Sequence, residues 1–240
     1  GVGTHLKYYI NEGGGYNDIT PIRATTAAGD VTFAAVNGSS TLTVADTNHG
    51  AKENDFVTFS GAVTLGGNIT AAVLNQEYQI SRIIGDNSYE VLAREVASLN
   101  DITINGAYSP TLVVADGSDT GNGGSSIVGT YQIQSGLDTT VAGTGWGAGT
   151  WSRGSWGSGA NLTAVGDILR IWSHDNFGED LIINVRNGGI YYWDKSTSSA
   201  PFARAVELSS LAGADATTPT IAKQVMISDR DRHVIVFGCD

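Results

Sequence analysis

The chain has 240 residues, of which 41% are hydrophobic, and it carries a net charge of −11 from 24 acidic and 13 basic side chains. This length and apolar content predict a globular protein with one large or two smaller domains, not a disordered chain. No window approaches 18 consecutive apolar residues, which excludes a membrane-spanning helix, and the acidic excess argues against a protein that grips phosphate groups.

Short strands joined by glycine turns are the dominant pattern. The 32 glycines are about twice the usual share, against only four prolines. Apolar and polar residues alternate with period two, and convincing helical patterns are almost absent. The first hairpin is predicted from strands over residues 5–10 and 16–22, with a turn through residues 11–15.

The composition changes at residue 25 to small and acidic side chains. Between residues 25 and 144, twelve acidic side chains are opposed only by Lys52, Arg82 and Arg94, a net charge of −9. Many short strands at this spacing predict an inserted β-sandwich or small barrel. The predicted strands cover residues 31–36, 41–44, 56–59, 77–84, 89–92, 102–104, 111–114 and 130–134.

A connection over residues 145–166 carries Trp146, Trp151 and Trp156 at five-residue intervals among glycines. It is too rich in glycine for a helix interior and too aromatic for a flexible linker. The favoured interpretation is a packed connection whose rings fill gaps in the core. The alternative is an exposed platform on which the rings stack against sugars.

The last region, residues 167–240, again predicts antiparallel strands. These cover residues 167–172, 180–185, 190–193, 220–227 and 233–237, with one short helix over 203–211. Asn187 and Gly188 predict a tight type I′ turn, because both residues tolerate positive φ. Segments 7–10 and 190–193 share a pair of tyrosines flanked by aliphatic or aromatic residues.

The outer parts, residues 1–24 and 167–240, therefore resemble pieces of one repeating antiparallel sheet around the insertion at 25–144. Four-stranded sheets repeated about an axis form a β-propeller. The predicted fold is all-β, with partial propeller blades flanking the inserted domain. The chain starts without Met and stops after an apolar run, which predicts an internal stretch of a longer polypeptide.

Candidate chemical groups are few. Two groups of side chains are candidate sites: the loop over residues 116–122 for calcium, and His174 and Asp175 with Glu179 and Asp180 for acid/base work. A solvated loop and a capped turn are the favoured interpretations. The alternation of Asp229, Asp231 and His233 predicts a salt-bridged turn.

Isolated side chains add no site. His5 and His49 stand without a visible partner, and Cys239 is interpreted as a buried structural thiol. With no nucleophile, base or cofactor cradle in the sequence, we predict that the protein is not an enzyme and binds no cofactor or metal.

An ordered set of segments resembles the tail nozzle, or tail tubular B-like, proteins of short-tailed bacteriophages. The resemblance covers nearly the whole chain, and members of that family are much longer. The segments are residues 3–7, 18–23, 49–50, 55–62, 66–67, 74–78, the tryptophan connection, 176–181, 189–194 and 233–238.

The resemblance implies a propeller with inserted β-domains, assembled as a homo-oligomeric ring around the channel through which phage DNA leaves. It implies a virion protein assembled in the host cytoplasm, with other tail proteins such as adaptor and fibres as partners, and no catalytic residues. The acidic charge suits this role independently, because an acidic wall repels phosphates and lets DNA slide.

Two other functions stay open at this point. A carbohydrate-binding β-module of a tail fibre or secreted surface protein would use the three connecting tryptophans together with Trp172 and Trp193. A polysaccharide-cleaving tail enzyme would need two facing carboxylates, for which only Asp175, Glu179 and Asp180 are candidates.

Overall fold

The computed structural model describes residues 1–4, 6–12, 14–96, 110–134, 170–197, 203–228, 230–231 and 233–239. These residues form sixteen strands and one four-residue α-helix, which confirms the all-β class. The chain divides into two compact units. The flanking unit comprises Gly1–Pro21 and Ser135–Asp240, and the central unit comprises Ile22–Gln134, where the sequence prediction set the insertion at 25–144.

The flanking unit begins with a three-stranded antiparallel sheet in the order β1 (Val2–Gly3), β2 (Tyr8–Glu12) and β3 (Gly15–Asp18). Strand β2 starts later than the predicted residue 5. Thr4 Oγ1 accepts hydrogen bonds from the amides of Leu6 and Lys7, at 3.3 and 2.9 Å, and this local turn replaces the first part of the predicted strand.

The central unit is one seven-stranded sheet in the order β4-β10-β7-β8-β9-β6-β5. The helix α1 (Ala71–Leu74) precedes β8, and its N-cap Thr70 accepts from the amide of Val73. The strands are β4 (Ile22–Thr25), β5 (Thr32–Ala35), β6 (Thr41–Ala45), β7 (Phe56–Ser60), β8 (Glu77–Gly85), β9 (Ser88–Leu92) and β10 (Val128–Gln132).

This sheet folds over on itself at β8. The pairing of β8 with β9 shifts register twice, between Ile80 and Arg82 and between Ile83 and Gly85, and such irregularities bend a strand. Rings from the two halves of the folded sheet are then in contact. The ring centroids of Phe33 in β5 and Phe59 in β7 lie 4.9 Å apart. The two halves enclose one apolar core. The edge strands β4 and β5 do not pair with each other through their described residues, so the sheet matches the predicted sandwich more closely than a closed barrel.

The predicted strand over residues 111–114 is reduced to one bridge in the central unit. Leu112 pairs with Arg94, and the amide of Val113 donates to the carbonyl of Ala93 at 3.0 Å. The predicted strand at 102–104 lies outside the described residues.

The second part of the flanking unit forms a four-stranded antiparallel meander and a two-stranded hairpin. The meander runs β11 (Trp172–Phe177), β12 (Asp180–Val185), β13 (Ile190–Trp193) and β14 (Val206–Glu207), and the hairpin is β15 (Gln224–Ser228) with β16 (His233–Phe237).

Three predictions for this region are wrong. Among the described residues, the strand predicted over 167–172 overlaps β11 only at Trp172, because the observed strand continues to Phe177 through residues expected to form a turn. The helix predicted over 203–211 is replaced by β14, whose Val206 and Glu207 pair with Tyr192 and Tyr191, and by a 3₁₀ turn over Leu208–Ser210. The turn after β12 is not type I′, since it has positive φ at Asn187 (58°) but not at Gly188.

The meander is buried on both faces within the flanking unit. In β12, Leu181 and Ile183 pack on one side against a cluster that includes Tyr8 of β2. Ile182 packs on the other side against Val225 and Ile227 of β15. A strand with both faces covered becomes a continuous buried run, and Leu181 to Asn184 are all 5% exposed or less.

Candidate functional site

The two tryptophans that the structure describes are packing residues. Trp193 is buried and its Nε1 donates to the carbonyl of Ala203 at 3.0 Å. Trp172 is half-buried, its Nε1 donates to the carbonyl of Thr4 at 2.6 Å, and its ring lies 5.0 Å from that of Tyr8. The interpretation of these two rings as sugar platforms is therefore wrong.

The predicted ladder of Trp146, Trp151 and Trp156 lies outside the described residues. Whether these rings pack or stack on a ligand stays a prediction.

Asp175 and Asp180 of the β11–β12 hairpin act as hydrogen-bond acceptors within the fold, whereas Glu179 is exposed in the turn between the two strands. Asp175 Oδ2 accepts from the amide of Ile227 in β15 at 2.8 Å. Asp180 accepts from the hydroxyl of Tyr192 at 2.5 Å and from the amide of Lys195 at 3.0 Å. The bond to Asp180 is the largest of the causes that raise the pKa of Tyr192 to about 12.

His174 does not join these carboxylates. Alternation along β11 places its ring on the opposite face of the sheet from Asp175, where it meets the ring of Tyr8 edge-on at 5.7 Å. Burial lowers the pKa of His174, so the imidazole tends toward its neutral form. The candidate acid/base group is thus split between the two faces of the sheet.

The 116–122 loop is exposed at residues 117, 118, 120 and 122, as the sequence favoured, but its Asp119 is not solvated. Asp119 is buried, and its carboxylate accepts from the amides of Gly67, Ile69 and Asp116 at 2.8, 3.0 and 2.9 Å. Burial acts to raise the pKa of Asp119, but these backbone donors outweigh it and hold the pKa below its usual value. The carboxylate joins two loops that are about fifty residues apart in sequence.

The central unit contains a buried polar network that the sequence did not predict. The hydroxyl of Tyr131 donates to Asp46 at 2.5 Å and lies 2.7 Å from the hydroxyl of Tyr89. Burial raises the pKa of both tyrosines, so both stay protonated at neutral pH. We call Asp46, Tyr89 and Tyr131 the tyrosine–aspartate network.

His49 lies beside this network and is not the isolated histidine of the sequence analysis. Its Nδ1 accepts from the amide of Ala51 at 3.0 Å, and its Nε2 lies 2.9 Å from the carbonyl of Gly85. These contacts fit the tautomer in which Nδ1 accepts and Nε2 carries the proton. His49 is thus a structural side chain that closes the turn before β7.

Asn184 is a second buried polar residue that the sequence did not reveal. It is fully buried in β12, and its Nδ2 lies 3.0–3.3 Å from four backbone carbonyls. Its Oδ1 accepts from Ser173 Oγ at 3.2 Å. The amide therefore holds the β12–β13 turn and the segment before β15 in place; the four carbonyls are those of Val185, Gly188, Gly189 and Ala222.

Asp18 forms the centre of an ion cluster in the flanking unit. Its carboxylate lies 2.9 Å from Lys7 Nζ and 2.7 Å from Arg204 Nη1. Burial opposes ionisation, but the two cations and the Thr20 hydroxyl outweigh it and lower the pKa of Asp18. The cluster ties together the residue before β2, the end of β3 and the segment before β14.

The remaining sequence candidates lie at the surface or outside the described residues. Asp231 and His233 are exposed, while Asp229, Arg232 and His5 are not described. The salt-bridged turn stays a prediction. Cys239 is exposed, so its interpretation as a buried thiol is wrong.

The described residues contain no cluster of metal ligands and no long apolar helix. No three side chains of His, Cys, Asp and Glu in this part of the chain come together in a way that could hold a metal ion. Likewise, the described part contains no helix with the length and apolar character needed to cross a bilayer.

The chain has few recognisable similarities to known proteins. No protein-family model and no curated protein matches the chain. Among solved structures, one match is the phage phi92 endosialidase, at 14% identity and a TM-score of 0.24, over 89% of this chain and 27% of that one. The chain thus spans about a quarter of that protein's length, and a likeness at this level carries no argument.

Proposed function

We propose that the protein is a structural subunit of a phage tail, assembled with identical copies into a nozzle ring around the DNA exit channel. The observation that carries the proposal is the meander β11–β14, a four-stranded antiparallel sheet in sequential order with other antiparallel β layers packed on both of its faces. Neighbouring blades of a β-propeller stack in this way. The ordered sequence resemblance to tail nozzle proteins supports the same proposal.

The use of polar side chains supports a structural role without catalysis. Asp175, Asp180 and Asp119 are three of the carboxylates that the sequence offered for chemistry or metal binding. Each accepts hydrogen bonds that join one strand or loop to another. Groups held in this way fix the backbone and are poorly placed to transfer protons to a substrate.

The charge fits a wall along which DNA passes without being specifically bound. Residues 25–144 carry a net charge of −9, and like charges repel the phosphate backbone. The proposed partners are further copies of the chain and other tail proteins, in a virion assembled in the host cytoplasm.

Assembly of the purified protein tests this function. Sedimentation velocity with negative-stain electron microscopy should show closed rings with an open centre, and duplex DNA should migrate unchanged in their presence. A protein that stays monomeric at every concentration, also beside its natural tail partners, would refute the proposal.

A further inference from the structure

The chain contains four Asn–Gly pairs, which begin at Asn37, Asn105, Asn122 and Asn187, and Asn105 lies outside the described residues. In such a pair, the backbone nitrogen of the glycine can attack the side-chain amide of the asparagine. Glycine favours this attack because it has no Cβ to restrict the backbone. The three described pairs differ in the hydrogen bonds that hold them, and this difference separates one pair from the other two.

In two of the pairs, the nucleophilic backbone amide is already bonded. The amide of Gly38 donates to the carbonyl of Ala115 at 2.9 Å, and the amide of Gly188 donates to the carbonyl of Val185 at 2.7 Å. Attack requires that the amide lose its proton and that its nitrogen turn toward the asparagine side chain. Each of these hydrogen bonds must therefore break before the pair can react.

The third pair leaves its nucleophile unbonded. Within the described part of the chain, the amide of Gly123 donates no hydrogen bond, which is rare for a buried backbone donor. The carbonyls on both sides hold the loop, since that of Asn122 accepts from the amide of Phe33 at 3.0 Å and that of Gly123 accepts from Val63 at 2.8 Å. The Asn122 residue is exposed, so water reaches the group that would react.

A hydrogen bond also prepares the side chain of Asn122 for attack. Its Oδ1 accepts from the amide of Gly124 at 3.1 Å, which closes a turn around the amide of Gly123. Gly123 and Gly124 have φ of 87° and 93°, in the left-handed region that favours glycine. Negative charge develops on Oδ1 when a nucleophile adds to Cγ, and a donor already directed at that oxygen stabilises it.

We propose that Asn122 is a site of spontaneous modification, at which the backbone of Gly123 converts the asparagine into an aspartyl or isoaspartyl residue. The nitrogen of Gly123 forms a bond with Cγ of Asn122, and the bond from Cγ to Nδ2 breaks. Ammonia leaves with the proton of the Gly123 amide, and a cyclic succinimide remains. Water then opens the ring at either carbonyl, which produces a carboxylate and releases a proton. This inference does not depend on the proposed function.

Peptide mapping of the purified full chain by mass spectrometry tests the proposal. The protein is incubated in mildly alkaline buffer, and conversion is followed at Asn37, Asn122 and Asn187 in the same sample. We expect Asn122 to convert roughly tenfold faster than the other two, because one backbone hydrogen bond corresponds to about that factor in rate. Equal rates at the three positions, or faster conversion at Asn37 or Asn187, would overturn the proposal.

Two controls separate the effect of the fold from that of the local sequence. In concentrated urea the protecting hydrogen bonds are lost, so the three asparagines should convert at similar rates. A preference for Asn122 that persisted in urea would show that the folded loop is not its cause. Asn122→Gln lengthens the side chain at an exposed position and should abolish the fast release of ammonia, whereas release at the parent rate would place the reaction elsewhere.

Discussion

The central and flanking units reach the same all-β composition by different means. The central unit folds one seven-stranded sheet around a single apolar core, in which the tyrosine–aspartate network is enclosed. The flanking unit stacks small sheets in layers, with two separate apolar clusters on the two faces of β11–β14. The arrangement in the central unit encloses its core, whereas the layers of the flanking unit can be extended by adding further layers.

Two sets of polar contacts illustrate the difference. Inside the core of the central unit, Tyr131 and Asp46 bond to each other through their side chains. In the flanking unit, the side chains of Asp175 and Asn184 bond to the backbone of a neighbouring layer. Removing such a residue is therefore expected to loosen a layer in one unit and to disturb a closed core in the other.

The largest expected effect is that of Asn184→Asp in the flanking unit. The substitution places a carboxylate oxygen where Nδ2 now lies among four carbonyls, and an uncompensated buried charge costs about 3–5 kcal/mol. Thermal unfolding and hydrogen exchange should show the loss in β12, β13 and β15. Asn176→Asp is the control, since Asn176 is exposed in the adjacent strand, and it should change stability little. Equal effects of the two variants would contradict the role given to Asn184.

Tyr131→Phe should be the most damaging single-atom change in the central unit. It removes the hydroxyl that donates to the buried Asp46 and contacts Tyr89, and a buried group left without its partner costs about 1–3 kcal/mol. Urea unfolding followed by hydrogen exchange at β6, β9 and β10 measures the loss. Tyr16→Phe, at a tyrosine that is 69% exposed, is the matched control. If both variants unfold at the same urea concentration as the parent, the network does not stabilise the core.

Asp119 gives the central unit a pH dependence of defined sign. Its folded pKa is lowered, so its contribution is complete above the pKa of an unfolded Asp, about 3.9, and is lost as the pH falls through the lower folded pKa. Asp119→Asn should therefore cost roughly 1–2 kcal/mol at pH 7 and progressively less below pH ~3.9.

Urea titrations of both proteins at neutral and acidic pH measure this difference. Asp86→Asn, at an exposed position, is the control, and it should change the free energy of unfolding little at every pH. A cost for Asp119→Asn that stays constant into strong acid would show that the charge of Asp119 is not what matters.

The smallest effect is expected at the contact between β11 and β15. Asp175→Ala leaves the amide of Ile227 without its acceptor and should cost about 1 kcal/mol. Hydrogen exchange at Ile227 should accelerate, while Asp175→Asn, which keeps a side-chain oxygen, should restore most of the protection. Failure of Asp175→Asn to behave differently from Asp175→Ala would argue against a hydrogen bond as the cause.

Local patterning predicted much of the fold. Strands β6, β7, β9, β12 and β13 were anticipated within a residue or so, because alternation and glycine turns act over short distances. The helix expected over 203–211 was wrong because pairing of Val206 and Glu207 with β13 outweighs local propensity. The four-residue helix α1 was missed because it is too short to show a helical period.

The buried polar residues could not be predicted in the same way. Tyr131 and Asp46 are 85 residues apart, and Asp119 meets Gly67 across 52 residues. Nothing near Asp119 or His49 in sequence distinguishes a buried acceptor from a solvated turn residue. Only the folded sheet brings their partners together.

The most direct test of the account is electron cryomicroscopy of the assembled protein. The account predicts a closed ring in which the sheet β11–β14 of each copy lies between two further β layers around an open channel, with no bound substrate or metal. A monomer that binds a ligand in a cleft of converging carboxylates would contradict it.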